Sequence, residues 1–221
     1  MRALRSVAVH VAGFFEAHSD SIASRAALAL SKLGLAMRNR AWAFAGERGL
    51  TPTQGQVLVL LRTRGVPLRL GQVAEELAIS APTASDSVRA LVDKGLVSKT
   101  RARDDARAVA LELTSAGRQE TERALSWQDF LLSGIEALAP AEQEAFLALL
   151  LKILGALVER GQVPMQRTCL LCRYFRASDS ANAVYHCSRL DAPLSRRHLR
   201  VDCPDHAPVR DDAVRRPIAA F

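Results

Sequence analysis

The chain has 221 residues, of which 49% are hydrophobic and 24% are charged, and its formal net charge is +7. This hydrophobic fraction excludes wholesale disorder and allows one larger domain with a small appendage. Aromatic residues make up only 5% of the chain, and an apolar content of mainly Ala, Leu and Val favours helices over a β-sandwich. The positive charge favours a polyanionic partner without distinguishing nucleic acid from an anionic membrane.

No apolar run is long enough to span a bilayer. The longest, 145–158, contains Lys152 and is too short for a span. The first twenty residues resemble a signal peptide only weakly, because His10 interrupts them, and they are better interpreted as an amphipathic helix. We therefore expect a cytoplasmic protein with no membrane partner. In the reducing cytoplasm, clustered cysteines usually indicate metal or redox chemistry rather than disulfides.

After the amphipathic helix at the start, four further helices are predicted up to residue 95. The first covers about 21–45. The second is capped by Thr51 or Thr53, with Pro52 suited to its first turn and Gly65 at its end. The third is short, within 69–80. The fourth runs from Ala81 to Lys94, with Pro82 in its first turn. The short connection between the third and fourth helices is typical of a helix-turn-helix.

The hydrophobic period changes after Gly95. Residues 96–100 and 107–114 alternate apolar with polar or small residues, which predicts two strands, and the polar segment between them predicts a hairpin loop. Helices return after Thr114, and the final one begins near Pro140 and ends by Gly161. The predicted fold is therefore mainly α with a small β-hairpin wing: a winged helix-turn-helix flanked by longer helices.

Residues 71–117 resemble the core of the MarR family of bacterial transcriptional regulators. The resemblance is carried by the sequence DKGLV after the fourth helix, by the Asp105-Ala106-Arg107 pattern of the wing, and by LELTSAG on the return strand. It extends more weakly over about 21–161. It implies a homodimer joined by terminal helices, a near-palindromic operator in double-stranded DNA, and a small-molecule effector. It also implies that Asp105 and Arg107 brace the wing together.

Candidate DNA-contacting residues lie on the fourth helix and on the wing. The helix presents small hydroxyl residues and an arginine that we expect to face away from its apolar side, towards base edges and phosphates. The wing supplies basic residues that can enter a minor groove or lie along phosphates. Asp86 does not fit the predicted DNA-contacting face, because a carboxylate repels phosphate. The predicted contacts are Thr83, Ser85, Ser87, Arg89, Lys99, Arg101, Arg103 and Arg107.

Every cysteine of the chain falls in one polar, arginine-rich segment, 168–206. The four predicted metal ligands, a C-x2-C pair and two later single cysteines, are Cys169, Cys172, Cys187 and Cys203. Four thiolates suit zinc or an iron–sulfur cluster, and the spacing leaves both open alongside redox-active thiols. The segment has too few large apolar residues to fold by burial alone. Two strands, in 183–190 and 198–203, are predicted to bring the single cysteines to the pair, and His186 and His206 are secondary ligand candidates.

These predictions divide the chain into four parts: dimerisation helices at 1–50, a DNA-binding domain at 51–117, further dimerisation helices at 118–163, and a metal-binding module with a tail at 164–221. The predicted function is a sequence-specific, dimeric DNA-binding regulator, expected to be a repressor, that can respond to redox or metal status. The alternative is a winged-helix module for RNA or protein with a purely structural zinc site. The sequence contains no Walker loop, dinucleotide fingerprint or catalytic triad pattern, so we expect no enzymatic activity.

Overall fold

The computed structural model describes residues 19–101, 108–125, 129–177 and 185–209. Within these residues the chain forms seven α-helices and two small antiparallel sheets. This architecture confirms the predicted fold class, mainly α with a β-hairpin wing. The amphipathic helix predicted at the start of the chain lies outside the described residues. No helix in the described parts combines the length and apolar character that crossing a membrane requires.

The first helix, α1, spans Ile22–Arg48. Its 27 residues give a length of about 40 Å. The Ser21 hydroxyl accepts a hydrogen bond from the Ser24 amide (3.1 Å) and so satisfies one free donor at its start. Six large apolar side chains of α1 are exposed: Ile22, Leu28, Leu30, Leu33, Leu35 and Trp42.

Helix α2 spans Pro52–Arg64 and begins and ends as the sequence predicts. The Thr51 hydroxyl accepts from the Gln54 amide, and the Gln54 side chain accepts in return from the Thr51 amide. At the other end, Gly65 adopts a left-handed backbone with φ of 62°, a conformation that glycine reaches without strain. The buried residues of α2 include Val57, Leu58 and Leu61.

A helix-turn-helix follows. Strand β1, Leu68–Arg69, leads into α3, Leu70–Glu76, and then into α4, Ala81–Asp93. The turn between the helices contains Ala78 with φ of 52°, and the Ser80 hydroxyl caps α4 by accepting from the Thr83 amide at 3.2 Å. These bounds agree with the predicted helices to within a few residues.

The wing is a hairpin of β2, Val97–Arg101, and β3, Val109–Leu113. The register pairs Val97 with Leu113 and Arg101 with Val109, and β1 pairs with the other edge of β3. Val97, Leu111 and Leu113 turn inward against the helices. The resulting core contains Leu50, Val57, Leu58, Leu61, Leu68, Val73, Val88, Leu91, Val97, Leu111 and Leu113.

Helix α5, Ser115–Leu125, starts against the base of the wing. The Thr114 hydroxyl donates to the Gly95 carbonyl (2.8 Å) and accepts from the Gly117 amide (2.9 Å), so one side chain joins the two segments. Gly117 packs so closely on this turn that a Cβ atom there would lie 1.9 Å from the Leu96 carbonyl oxygen. Only glycine fits this approach without movement of the backbone.

Two helices precede the cysteine segment: α6, Asp129–Glu136, and α7, Pro140–Glu159. The segment itself contains a 3-10 turn, Cys169–Leu171, and a sheet of three very short strands, β4 (Phe175–Arg176), β5 (Tyr185–Cys187) and β6 (Ala192–Leu194).

The strand predicted around Cys187 is confirmed, but the strand predicted over 198–203 is wrong. Residues Arg196–His198 form a second 3-10 turn instead, and β6 lies earlier in the chain. The Ser195 amide donates to the His198 ring, and the His198 amide donates to the Ser195 carbonyl. These local bonds use groups that a strand would have paired across a ladder.

A second hydrophobic core joins the cysteine segment to α7. Leu151 of α7 is buried together with Cys169, Leu170, Tyr185 and Leu199, and partly buried residues of both elements surround them. The sequence predicts that the segment contains too little apolar surface to fold alone. In the structure, part of its core comes from α7, a helix outside the segment.

Candidate nucleic-acid interface and four-cysteine cavity

Helix α4 has one apolar and one solvent-facing side. Ala84, Val88 and Leu91 are buried, which leaves Pro82, Asp86 and Arg89 exposed along the opposite side. Among the predicted contacts, Thr83 is exposed and Ser85 is partly buried. The Thr83 hydroxyl lies 2.7 Å from that of Ser80, so it belongs to the cap of the helix as well as to its surface.

Ser87 corrects one expectation about this helix. It is only 8% exposed and lies on the core side of α4, not on the face predicted to meet DNA. The reason is helical geometry: positions 84, 87, 88 and 91 share a face, and a small hydroxyl side chain fits there beside Val88 and Leu91. The polarity of Ser87 alone suggested an exposed side chain, whereas its helical spacing from Val88 and Leu91 indicates a buried one.

Asp86 and Arg89 form an ion pair one turn apart on the exposed face. This pairing explains why a carboxylate lies on the exposed face of α4, since Asp86 neutralises the charge of Arg89. Both side chains are about two-thirds exposed, so the pair contributes little to stability and water competes for both partners. The i, i+3 spacing was visible in the sequence and would have predicted the pair.

The wing strand β2 carries Lys99 and Arg101, both exposed. They alternate with Ser98 and Thr100, so they point to the same side of the strand. Arg103 and Arg107, together with Asp105, fall in 102–107 and lie outside the described residues. The described part of the wing therefore presents two of its four predicted basic contacts.

The four cysteines are free thiols that line one small cavity. Its volume is about 20 Å³, and its other walls include Phe175, Leu190, Leu194 and Arg189. The structure thus brings together every cysteine that the sequence predicted to meet. Among the described residues, no three His, Cys, Asp or Glu side chains are already arranged to hold a metal ion.

Arg200 donates to the sulfurs of this cavity. Its backbone amide lies 3.2 Å from the Cys169 sulfur, and its guanidinium lies 4.0 Å from the Cys203 sulfur. Donors of this kind stabilise a thiolate. Burial nevertheless raises the pKa of the Cys169 thiol, and the three neighbouring cysteines raise that pKa further against the effect of the Arg200 amide.

The two histidines proposed as secondary ligands do not line the cavity. His186 is 43% exposed and lies 3.3 Å from the Asp191 carboxylate. Burial lowers the pKa of His206, although a hydrogen bond with the Leu171 backbone opposes this shift. The candidate ligands that line the cavity are therefore the four cysteines, with the Asp205 carboxylate beside them.

An ion network that the sequence analysis missed ties this module to the helix-turn-helix. Arg64, the last residue of α2, donates to the Glu76 carboxylate of α3 and to the Asp202 carboxylate, each at 2.7 Å. Its side chain is only 10% exposed. Burial alone would lower the pKa of Arg64, but the two carboxylates hold that pKa above its ordinary value. Arg64 and Asp202 are 138 residues apart, and no sequence pattern links them.

A helix-turn-helix followed by a three-stranded sheet with a basic hairpin defines a winged helix-turn-helix protein. Within it, residues 48–108 match the MarR family model, so the chain contains a MarR family domain. The model ends before the cysteine segment. A search of curated proteins finds no match.

Two structures of MepR from S. aureus show the same fold. The chain is 24% identical to MepR of S. aureus in a MepR–DNA complex, with a TM-score of 0.51, and the match covers 59% of this chain and 96% of MepR. A MepR mutant from a multidrug-resistant clinical isolate gives 25% identity, the same coverages and a TM-score of 0.50. A probable transcriptional regulator from Pseudomonas aeruginosa is 31% identical over 55% of this chain and 92% of that chain, with a TM-score of 0.44.

Proposed function

We propose that this protein is a sequence-specific, double-stranded-DNA-binding transcriptional regulator that acts as a homodimer and represses transcription. The observation that carries the proposal is the joint exposure, on a MarR family domain, of Arg89 on the second helix of the helix-turn-helix and of Lys99 and Arg101 on the wing. MepR, which shares this fold, has been solved bound to DNA.

The geometry suits duplex DNA better than a single strand. An α-helix fits the major groove, and the exposed face of α4 offers a guanidinium together with small side chains that allow close approach. The described wing offers cations but no exposed aromatic ring, whereas single-strand binding depends on aromatic stacking platforms. The proposed role of α4 is therefore base and phosphate contact, and that of β2 is contact with the sugar-phosphate backbone.

The proposed dimer rests on the exposed apolar side chains of α1. Six large hydrophobic residues on one helix form more apolar surface than a monomer normally leaves in water. We propose that a second copy of the chain covers them. Light scattering should give the mass of two chains, and Leu28→Asp combined with Leu35→Asp should shift that mass towards a single chain. Val109→Asp, which places the same charge on an exposed apolar residue outside α1, is the matched control.

The DNA-binding proposal is tested by selecting sites from a random duplex library and measuring affinity by fluorescence anisotropy. Lys99→Gln with Arg101→Gln should weaken binding to all sequences. The slope of log K against log salt should fall by about 0.9 for each phosphate that the variant no longer neutralises. Arg160→Gln, which removes a charge beyond the end of α7, should change neither quantity.

Unchanged affinity and slope in the double variant, or preferred binding to single strands or RNA, would overturn the proposal in favour of the alternative module. Repression has its own test: transcription in vitro from a template whose promoter overlaps the selected site should fall as the protein is added. A rise would identify an activator.

Substitutions at the Asp86–Arg89 pair should change duplex affinity in opposite directions. Asp86→Asn removes a negative charge that faces phosphate and frees Arg89, so duplex affinity should increase several-fold at low salt. Arg89→Gln should decrease it. The double variant should bind more tightly than Arg89→Gln, but the gain from Asp86→Asn should be smaller than in the wild type, because part of that gain operates through the arginine.

A further inference from the structure

The four-cysteine cavity has the features of a site for a single ion. Its volume of about 20 Å³ leaves room for one ion. Four sulfurs around a space of this size match the tetrahedral S4 set that zinc takes in structural sites.

The backbone around the cavity is arranged by two tight turns. The Cys172 amide donates to the Cys169 carbonyl (3.0 Å), and the His206 amide donates to the Cys203 carbonyl (3.2 Å). The Cys169 amide also donates to the Arg200 carbonyl at 3.1 Å, which holds the two turns side by side. These bonds fix the backbone at three of the four cysteines that line the cavity.

The cysteine module also needs a source of stability beyond its small hydrophobic core and short strands. Its buried residues pack partly on Leu151 of α7, and its three strands contain only two or three residues each. Such short strands contribute few ladder hydrogen bonds. Small domains of this kind commonly gain their stability from a structural metal.

The Asp202 side chain gives the site a connection to the DNA-binding domain. Asp202 directly precedes Cys203, and the Arg167 guanidinium donates to the Cys203 carbonyl at 2.6 Å while its Nε lies 3.4 Å from the Asp202 carboxylate. The same carboxylate bonds Arg64, which bonds Glu76 at the end of α3. When Cys203 is held in place, the neighbouring Asp202 carboxylate is therefore held on Arg64, which binds Glu76 of the helix-turn-helix.

We propose that Cys169, Cys172, Cys187 and Cys203 together bind one Zn²⁺ ion, and that the bound ion strengthens duplex binding by holding Asp202 on Arg64. Binding is balanced by the release of the thiol protons, up to four for each ion. The second half of the proposal deepens the DNA-binding function and rests on it. The first half stands without it.

The metal site is tested by elemental analysis of the full chain purified without added metal. One zinc per chain in a colourless protein is the expected result. Iron with sulfide in a coloured protein, or a metal-free protein with four titratable thiols or two disulfides, would overturn the single-ion site. Cys169→Ser and Cys203→Ser should each lose the stoichiometric zinc, while His186→Gln should retain it.

Replacement by Co²⁺ gives a spectroscopic check that does not depend on DNA. Cobalt in place of zinc should show the sulfur-to-cobalt absorption and the intense visible bands of a tetrahedral thiolate site. Weak bands typical of six oxygen or nitrogen ligands would overturn the S4 assignment. Because the wild-type chain is used, a cysteine variant that fails to fold cannot confuse the result.

The connection is tested by removing zinc from the wild-type chain with a chelator and restoring it. Removal should weaken duplex binding by at least about five-fold, as expected for a typical coupling between two sites. Asp202→Asn should retain its zinc, bind DNA as weakly as the metal-free wild type, and no longer respond to the chelator. Glu144→Gln, which breaks the ion pair between α7 and Arg197, should respond to the chelator as the wild type does.

Two failures can be told apart. If the wild-type chain holds zinc but binds no duplex in either state, the proposed function is wrong and the metal site stands. Hydrogen exchange then tests the connection directly, because zinc removal should increase exchange at the ends of α2 and α3. If duplex binding is strong and identical with and without zinc, or if Asp202→Asn still responds to the chelator, the connection is wrong.

Discussion

The winged-helix domain and the cysteine module have opposite kinds of core. The first encloses eleven buried apolar residues drawn from helices and strands within a continuous stretch of chain. The second buries five residues, one of which is Leu151 of α7. Hydrophobic burial scales with the apolar area enclosed, so the first core can hold its fold by packing alone and the second needs additional constraints.

The contrast teaches how the two regions divide structural roles. In the winged helix, packing fixes the angle between α4 and the wing. At the boundary between the two regions, partly buried charges make the connection: Arg64 of α2 binds Asp202 of the module. Four predictions test this division, from the largest expected effect to the smallest.

Leu91→Ala should have the largest effect. Leu91 is fully buried in the winged-helix core, and the cavity left by the substitution should lower the free energy of unfolding by about 2–5 kcal/mol. Urea denaturation followed by circular dichroism measures the change. Val109→Ala, at an exposed position of the wing, should stay within about 0.5 kcal/mol of the wild type. Equal losses in both variants would contradict the assigned core.

Leu170→Ala makes the same substitution in the module. Leu170 remains 9% exposed, so we expect a loss near the low end of the usual range, about 2 kcal/mol. The loss should appear in hydrogen exchange as faster exchange in the module, with little change in α2 and α4. Uniform acceleration across the chain would show instead that the two cores unfold as one unit.

Gly117→Ala should destabilise the junction between the wing and α5. The added Cβ would overlap the Leu96 carbonyl, and the required backbone shift should cost about 1–3 kcal/mol. Gly134→Ala is the matched control: nothing lies within 4 Å of its added Cβ in α6, so the better helix propensity of alanine should stabilise by up to about 1 kcal/mol. Thermal unfolding of the two variants should therefore shift in opposite directions.

Arg197→Ala should have the smallest effect. Its guanidinium lies 2.9 Å from Glu144 across the boundary of module and helix, but the arginine is 68% exposed. Exposed pairs of this kind contribute little to stability because water competes for both partners. The melting temperature should hardly change, and the small difference from the wild type should shrink further at high salt. A large loss would mean that surface charges hold the module in place more than its shared core does.

Local patterns predicted most of the fold. The alternation in 107–114 predicted strand β3, and Pro52 with Gly65 predicted the two ends of α2, because turn residues and periodicity act within a few residues. Ser87 was misplaced because polarity was given more weight than helical spacing. The ion pair of Arg64 with Asp202 could not be predicted, since it depends on tertiary packing that brings distant segments together. Confinement of the cysteines did predict their common cavity.

The shared face of α7 has a consequence for anyone who shortens this protein. A fragment cut after residue 163 would keep the whole MarR family match but would uncover Leu147, Ala148 and Leu151, which the module now shields from water. Such a fragment should aggregate, even with every predicted DNA contact intact. Replacing those three side chains with polar ones should restore its solubility.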